Sequence, residues 1–188
     1  MTGLVLWSTI AIVVAVLLAA IIIFNRLVGS AQMVDEAWSG IDVQLKRRAD
    51  LVPSLVEVVK GYAAHERDTL EKLTRMRTAA QAIPASDVTG RAQAEGALGA
   101  ALGRLMVLAE GYPDLKASTN FLELQRGLVA LENELQMARR YYNGAVRNLN
   151  TLVQTVPVNL VAGTFGFRPR AYFELVDAAS RNAPQVAL

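Results

Sequence analysis

Residues 121–156 read FLELQRGLVALENELQMARRYYNGAVRNLNTLVQTV, and apolar or small side chains recur in them at Phe121, Leu124, Leu128, Leu131, Leu135, Ala138, Tyr142, Ala145, Leu149, Leu152 and Val156. The spacing alternates three and four throughout, which is the mark of an α-helix with one apolar seam. An average of about 3.5 residues, held over roughly five heptads, calls for left-handed, coiled-coil-like packing. A helix of about 35 residues is about 50 Å long and needs neighbours along all of it. Ser118 or Asn120 is the expected cap. The stretch therefore predicts an all-α fold in which long helices hide their seams against each other.

Upstream of it, Leu98, Leu102, Leu105, Ala109 and Tyr112 define a preceding helix from about Arg91, Ala/Gly-rich in its first turns. Gly96, Gly99 and Gly103 permit close approach at some expense of helix propensity. Gly111-Tyr112-Pro113-Asp114 ends or sharply kinks this helix, because Pro113 clashes with the preceding turn and restricts Tyr112. The stretch IPASDVTGR at 83–91 reads as a loop. Before that, Leu55, Val59, Tyr62, Thr69, Leu73, Met76 and Ala80 mark a helix to about Gln81, interrupted by Glu66. Asp50 is placed to cap it, with Pro53 in its first turn, so a junction is expected near 49–52. The first seam, Leu27, Ala31, Val34, Trp38, Ile41 and Leu45, reaches Arg48 at its next position. Two readings of Arg48 stand: a side chain reaching water from the end of the core, the commoner outcome, or a buried charge partnered by Asp42 or Asp50. The junctions at Pro53 and Pro113 are either turns or kinks in fewer, longer helices.

From Leu4 to Phe24 the chain reads LVLWSTIAIVVAVLLAAIIIF without a charge. As a helix this run spans about 30 Å, the thickness of a bilayer's hydrocarbon core. A cleaved signal peptide fits less well, since no basic residue precedes the run and it exceeds the usual apolar length. Trp7 suits one interface and Asn25-Arg26 the other. Arg26 and Lys46-Arg47-Arg48 all follow the span, a bias that points to a cytoplasmic body. The organisation expected is an anchor at 1–25, a bundle of four antiparallel segments at 26–156 continuing the membrane helix, and a tail at 157–188. With short turns the last long helix returns toward the membrane. In the tail, Pro157, Gly163, Gly166 and Pro169 break helical regularity, while Phe165, Phe167, Tyr172 and Phe173 make it aromatic. It lies at the bilayer surface, with Arg168, Arg170 and Arg181 toward anionic headgroups, or against another subunit, or over the open end of its own bundle. Beyond Ser180 a loose end is expected.

Charge and composition narrow the chemistry. The 188 residues carry 19 basic and 17 acidic side chains, net +2, so nucleic acid is not called for. Cysteine is absent, which removes disulfides and thiolate metal sites. A di-iron bundle needs Glu-x-x-His motifs, yet His65 is the one histidine and Tyr62 stands three residues before it. His65 and Glu66 point in different directions on a helix. No phosphate loop or nucleophile elbow is present, so no catalytic residue, metal or cofactor is assigned. What remains reads as binding surface. Asp42, Gln44 and Arg47 form one polar stripe, and Asn143, Arg147, Asn150 and Gln154 form another. Arg47, Arg48, Asp50 and Glu57 gather beside the first junction, Tyr112 and Pro113 stand at the second, and Phe165, Phe167, Tyr172 and Phe173 occupy the tail.

Several stretches also carry a family resemblance: AWSGIDVQLKRRADLVPSLVE at 37–57, VKGYAAHE at 59–66, EGYPDLKA at 110–117, ARRYYN at 138–143 and NLN at 148–150. Asn120-Phe121, Leu124-Gln125, Glu132-Asn133, Phe165-Gly166-Phe167 and Tyr172-Phe173 add to them. The sequence resembles the LemA family of bacterial membrane-anchored proteins over nearly its whole length, departing at Asn25-Arg26. The resemblance implies a short exposed N-terminus, one span, a cytoplasmic helical bundle at the inner membrane and no established enzymatic activity. It further implies an association with membrane remodelling and organisation or with partner membrane proteins such as zinc metalloproteases. The function expected is a scaffold or interaction protein on the bilayer that associates with itself; the alternative is an oligomeric pore or transport accessory.

Overall fold

The computed structural model describes residues 2–174. All its regular structure is helical: α1 (Thr2–Tyr62), α2 (Arg67–Ala82), α3 (Val88–Ala109), α4 (Pro113–Ala117), α5 (Thr119–Gln154) and α6 (Val158–Phe165). Arg181 and the residues beyond Ser180 lie outside the described residues. The described residues divide into two compact units, one of residues 2–39 with 141–171, the other of residues 40–140 with 172–174. Helices α1 and α5 contribute to both.

In the second unit four segments follow one another antiparallel: the end of α1, α2, α3 and the start of α5. Val52, Leu55, Val59, Leu73, Leu98, Leu102, Leu105 and Phe121 are buried together. Each such side chain contributes roughly 1.5–3 kcal/mol by leaving water. Asp87 caps α3, its Oδ1 accepting the Gly90 N–H at 2.8 Å. Pro113 starts α4, where a missing N–H breaks no bond. The Gly111–Asp114 segment thus ends α3, as expected, and the short α4 then carries buried Leu115 into the core.

The junction expected at 49–52 does not exist. Helix α1 passes through Pro53 and ends at Tyr62, and Asp50 is an exposed mid-helix residue rather than a cap. Proline has no N–H for the carbonyl four residues earlier, here Ala49, which is buried. A donor from another helix takes its place: Arg77 Nε of α2 hydrogen-bonds the Ala49 oxygen at 2.7 Å. The reversal falls instead at 63–66, where the Glu66 N–H bonds the Ala63 carbonyl at 3.1 Å. Tyr112 holds this turn from α4's start, its hydroxyl donating to Glu66 Oε1 at 3.0 Å. That hydrogen bond, before desolvation, raises the Tyr112 pKa. Tyr62 is therefore off the seam and half exposed, with Ala63 buried in its place.

In the first unit, Leu27, Val34 and Ala37 of α1 are buried, as are Tyr142, Ala145, Val146 and Leu149 of α5. Trp38 packs on Tyr142 with ring centroids 5.4 Å apart. Between Leu6 and Ile22, by contrast, α1 exposes Ile10, Ile12, Leu17 and Ile22 among other large apolar groups, and this stretch is long and apolar enough to cross a membrane. The tail is less irregular than its glycines and prolines suggested. Helix α6 runs through Gly163 and stops at Gly166, whose φ of +76° is the left-handed value glycine adopts freely. Val156, expected on the α5 seam, lies past the helix end and is exposed.

Arg77→Met is expected to destabilise the chain by about 1–3 kcal/mol, the cost of a buried polar group left unpaired. In a Pro53→Ala background, where residue 53 again supplies an N–H, the same change should cost much less. Thermal unfolding of the full chain in nanodiscs, followed by circular dichroism across this double-mutant cycle, checks the coupling; additive effects would refute it.

Candidate functional site: a buried charge cluster and a clasped tail

The second unit holds a cluster of charges inside its helices. Arg48 is 3% exposed, so of its two readings the buried one holds, but its partners are neither Asp42 nor Asp50. Its Nη2 lies 3.0 Å from Glu132 Oε1 on α5, and its Nη1 lies 3.8 Å from Glu95 Oε2 on α3. Glu95 is 1% exposed and also faces Arg91, whose Nε is 3.6 Å from Glu95 Oε1. Arg91 in turn bonds Asp42 at 3.1 Å and the Ile83 carbonyl at 3.0 Å. Arg48, Arg91, Glu95, Glu132 and Asp42 thus link α1, α3 and α5.

Burial raises the Glu95 pKa above its ordinary 4.5; the Arg48 and Arg91 guanidinia oppose that rise, and Glu132 and Asp42 add to it. The contacts to Glu95 exceed hydrogen-bond distance, so its carboxylate is held by charge rather than by directed bonds. Space for Arg48 comes from Gly99: a Cβ built there would stand 2.5 Å from Arg48 Nη2. Gly103, one turn on, faces nothing within 4 Å. The two glycines look equivalent in sequence, yet only Gly99 bears on the cluster.

The other expected interaction residues are dispersed. Arg47 forms an exposed pair with Glu134 at 3.4 Å. Asp50, Glu57 and Pro113 are exposed, and Tyr112 closes the 63–66 turn. The stripe of Asn143, Arg147, Asn150 and Gln154 divides: Arg147 and Gln154 are exposed, Asn143 is half-buried, and Asn150 is turned inward at 9% exposure. In the first unit Asn150 grips the tail backbone, its Nδ2 donating to the Arg170 carbonyl at 3.0 Å and its Oδ1 accepting the Arg170 N–H at 2.8 Å. The Tyr142 hydroxyl donates to the Ala171 carbonyl at 2.9 Å, and desolvation raises its pKa. Arg170, expected at headgroups, instead lies 3.4 Å from Asp35. Phe165 and Phe167 pack on Phe24, with centroids 4.8 and 5.9 Å away. Tyr172 is partly exposed and Phe173 fully buried.

Sequence reasoning missed Glu95, Arg91, Glu132 and Arg77. A signal for the first two was present: Arg91 and Glu95, four apart, are the charges that interrupt an otherwise Ala/Gly-rich run. A cleft of about 750 Å³ lies in the second unit between the end of α1 and α2, beside Lys60, Arg67, Leu70 and Arg75. Among the described residues no group of three or more acidic or histidine side chains is placed to hold a metal ion.

An unburied apolar helix long enough to cross a bilayer, joined to helices that set arginines against carboxylates in their interior, defines a membrane-associated all-helical protein. The chain belongs to the LemA family, whose family model matches residues 37–188. Among curated proteins it is 26% identical over 186 residues to magnetosome protein MamQ 2 of Paramagnetospirillum magneticum, covering 86% of this chain and 68% of that protein. It is 29% identical over 138 residues to protein LemA of Metamycoplasma hominis, covering 73% and 63% respectively. Magnetosome protein MamQ of Magnetospirillum gryphiswaldense is 24% identical over 174 residues, covering 80% and 64%. The chain thus spans about two thirds of the length of these relatives.

Two measurements test the cluster. Gly103→Ala should stabilise by about 0.5–1 kcal/mol through helix propensity. Gly99→Ala should reverse that sign and cost about 1–3 kcal/mol by displacing Arg48; equal gains in thermal unfolding would refute the packing role. For Glu95, the folded pKa lies above the unfolded one, so the folded chain takes up this proton first. Its contribution to stability therefore grows as pH falls through the folded pKa toward 4.5 and is absent above it. Melting wild type and Glu95→Gln side by side from about pH 7.5 downward should move the difference toward wild type; a constant difference would remove Glu95 from the titration.

Proposed function

We propose that this protein is a scaffold held on the bacterial inner membrane by α1, presenting its helical bundle to the cytoplasm and associating with copies of itself. The observation that carries this reading is the outer face of α5 in the second unit. Val129 and Met137 are more than half exposed there, next to a shallow groove lined by Leu122, Arg126, Ala130 and Asn133. Large apolar groups repeated on one outward helix face suit helix-to-helix docking. Val107, 70% exposed, is a third such group, on α3. The charges inside the unit face carboxylates or guanidinia of neighbouring helices, which favours display over chemistry as the unit's task.

Orientation rests on charge. Arg26 follows the span directly and Lys46, Arg47 and Arg48 come later on the same side, an arrangement that favours the cytoplasm.

Mass determination of the full chain in nanodiscs or mild detergent should give an oligomer at micromolar concentration. Val129→Glu with Met137→Glu should yield monomer with helicity unchanged. A wild-type monomer across the whole concentration range would overturn self-association.

A further inference from the structure

Several features of the first unit sit at the level where α1 leaves the apolar run. Phe24 is the last residue of that run and packs on Phe165 and Phe167, so α6 and the residue after its cap lie at the same depth as the end of the span. Helix α6 exposes Leu160 and Phe165, with Val156 exposed just before it. No charged residue occurs between Arg147 and Arg168, although this stretch includes an exposed helix. Uncharged, exposed and level with the end of a span describes a segment lying in the bilayer interface.

A groove of about 510 Å³ opens in the same unit between α1 and α5. Arg26 and Ser30 line one wall, one turn apart, and Arg147, Asn148 and Thr151 line the other, with Leu152 adding apolar surface. Among the described residues, neither guanidinium has a carboxylate partner, and no carboxylate lines the groove. The acidic Asp35 lies nine residues from Arg26, two and a half turns on and so about opposite on the helix, where it is engaged by Arg170. Arg26 is two residues past Phe24, about 3 Å along the axis and thus at headgroup depth if Leu4–Phe24 spans the bilayer.

We infer that this groove binds the phosphate of an anionic phospholipid, with α6 resting in the interface beside it. The inference builds on the membrane-anchor reading. Two arginines with the Ser30 hydroxyl and the Asn148 amide beside them match a phosphodiester, which offers acceptor oxygens and a negative charge, while the Thr151 hydroxyl donates to the Arg147 carbonyl at 2.8 Å. The acyl chains of the same lipid then meet the exposed side chains of α6 and the adjoining surface of α1. Free phosphate shares the headgroup chemistry but not those chains.

Native mass spectrometry of the full chain, released from nanodiscs of equal phosphatidylglycerol and phosphatidylcholine, tests this. Wild type should retain phosphatidylglycerol in preference to phosphatidylcholine. Arg26→Gln with Arg147→Gln should lose that preference by about 25-fold, given roughly fivefold for each basic residue at an anionic surface, while entering nanodiscs as well as wild type. An unchanged preference in the double variant would overturn the site, as would its loss in wild type on adding inorganic phosphate at the lipid's concentration. Wild type that fails to enter nanodiscs would instead refute the anchor. A second measurement uses the absence of cysteine: a fluorophore at Leu160→Cys should be quenched by lipids spin-labelled near the headgroup, and quenching only by aqueous iodide would remove α6 from the interface.

Discussion

The second unit depends on α1 continuing through Pro53. A helix that crosses proline leaves one carbonyl without its usual donor, and here that carbonyl is buried. The guanidinium of Arg77 supplies the missing bond and ties α2 to α1 at that level. One residue earlier on α1, Arg48 sends its own guanidinium toward α3 and α5. Neighbouring positions on one helix thus make polar contacts with three others, which fixes axial register more sharply than a smooth apolar seam does.

Much of the fold was legible in the sequence. The α5 seam was read nearly to its ends, and the break at Gly111–Asp114 followed from proline chemistry. The first reversal was misplaced because the local signals point the wrong way. Asp50 and Pro53 look like a helix start, whereas Ala63-Ala64-His65-Glu66 contains no breaker. What ends α1 there includes a contact from Tyr112, some 46 residues later in the chain, and what carries it past Pro53 is a bond from Arg77. Neither is a property of the segment itself, so no local pattern encodes it.

The polar residues tell a similar story. Asn150 shared the spacing of an outward stripe, and only its proximity to residue 170 turns it inward. Arg48 was recognised as anomalous, but its partners lie on helices whose rotation about their own axes the seam alone does not specify. Glu95 was masked by the alanines and glycines around it, which read as close packing. That packing is real, and Gly99 shows its purpose locally, leaving room for a side chain from α1.

The grip of Asn150 on residue 170 has its own implication. A side-chain amide presents an N–H and a carbonyl oxygen in one plane, as a neighbouring β-strand does, and here both engage the main chain of residue 170. Recognition of that kind ignores which side chain the bound residue carries. The main-chain part of the seam between tail and α5 is therefore indifferent to which side chain stands at 170, provided the residue has an N–H, and intolerant of proline there, which would remove the donor along with the exposed pair to Asp35.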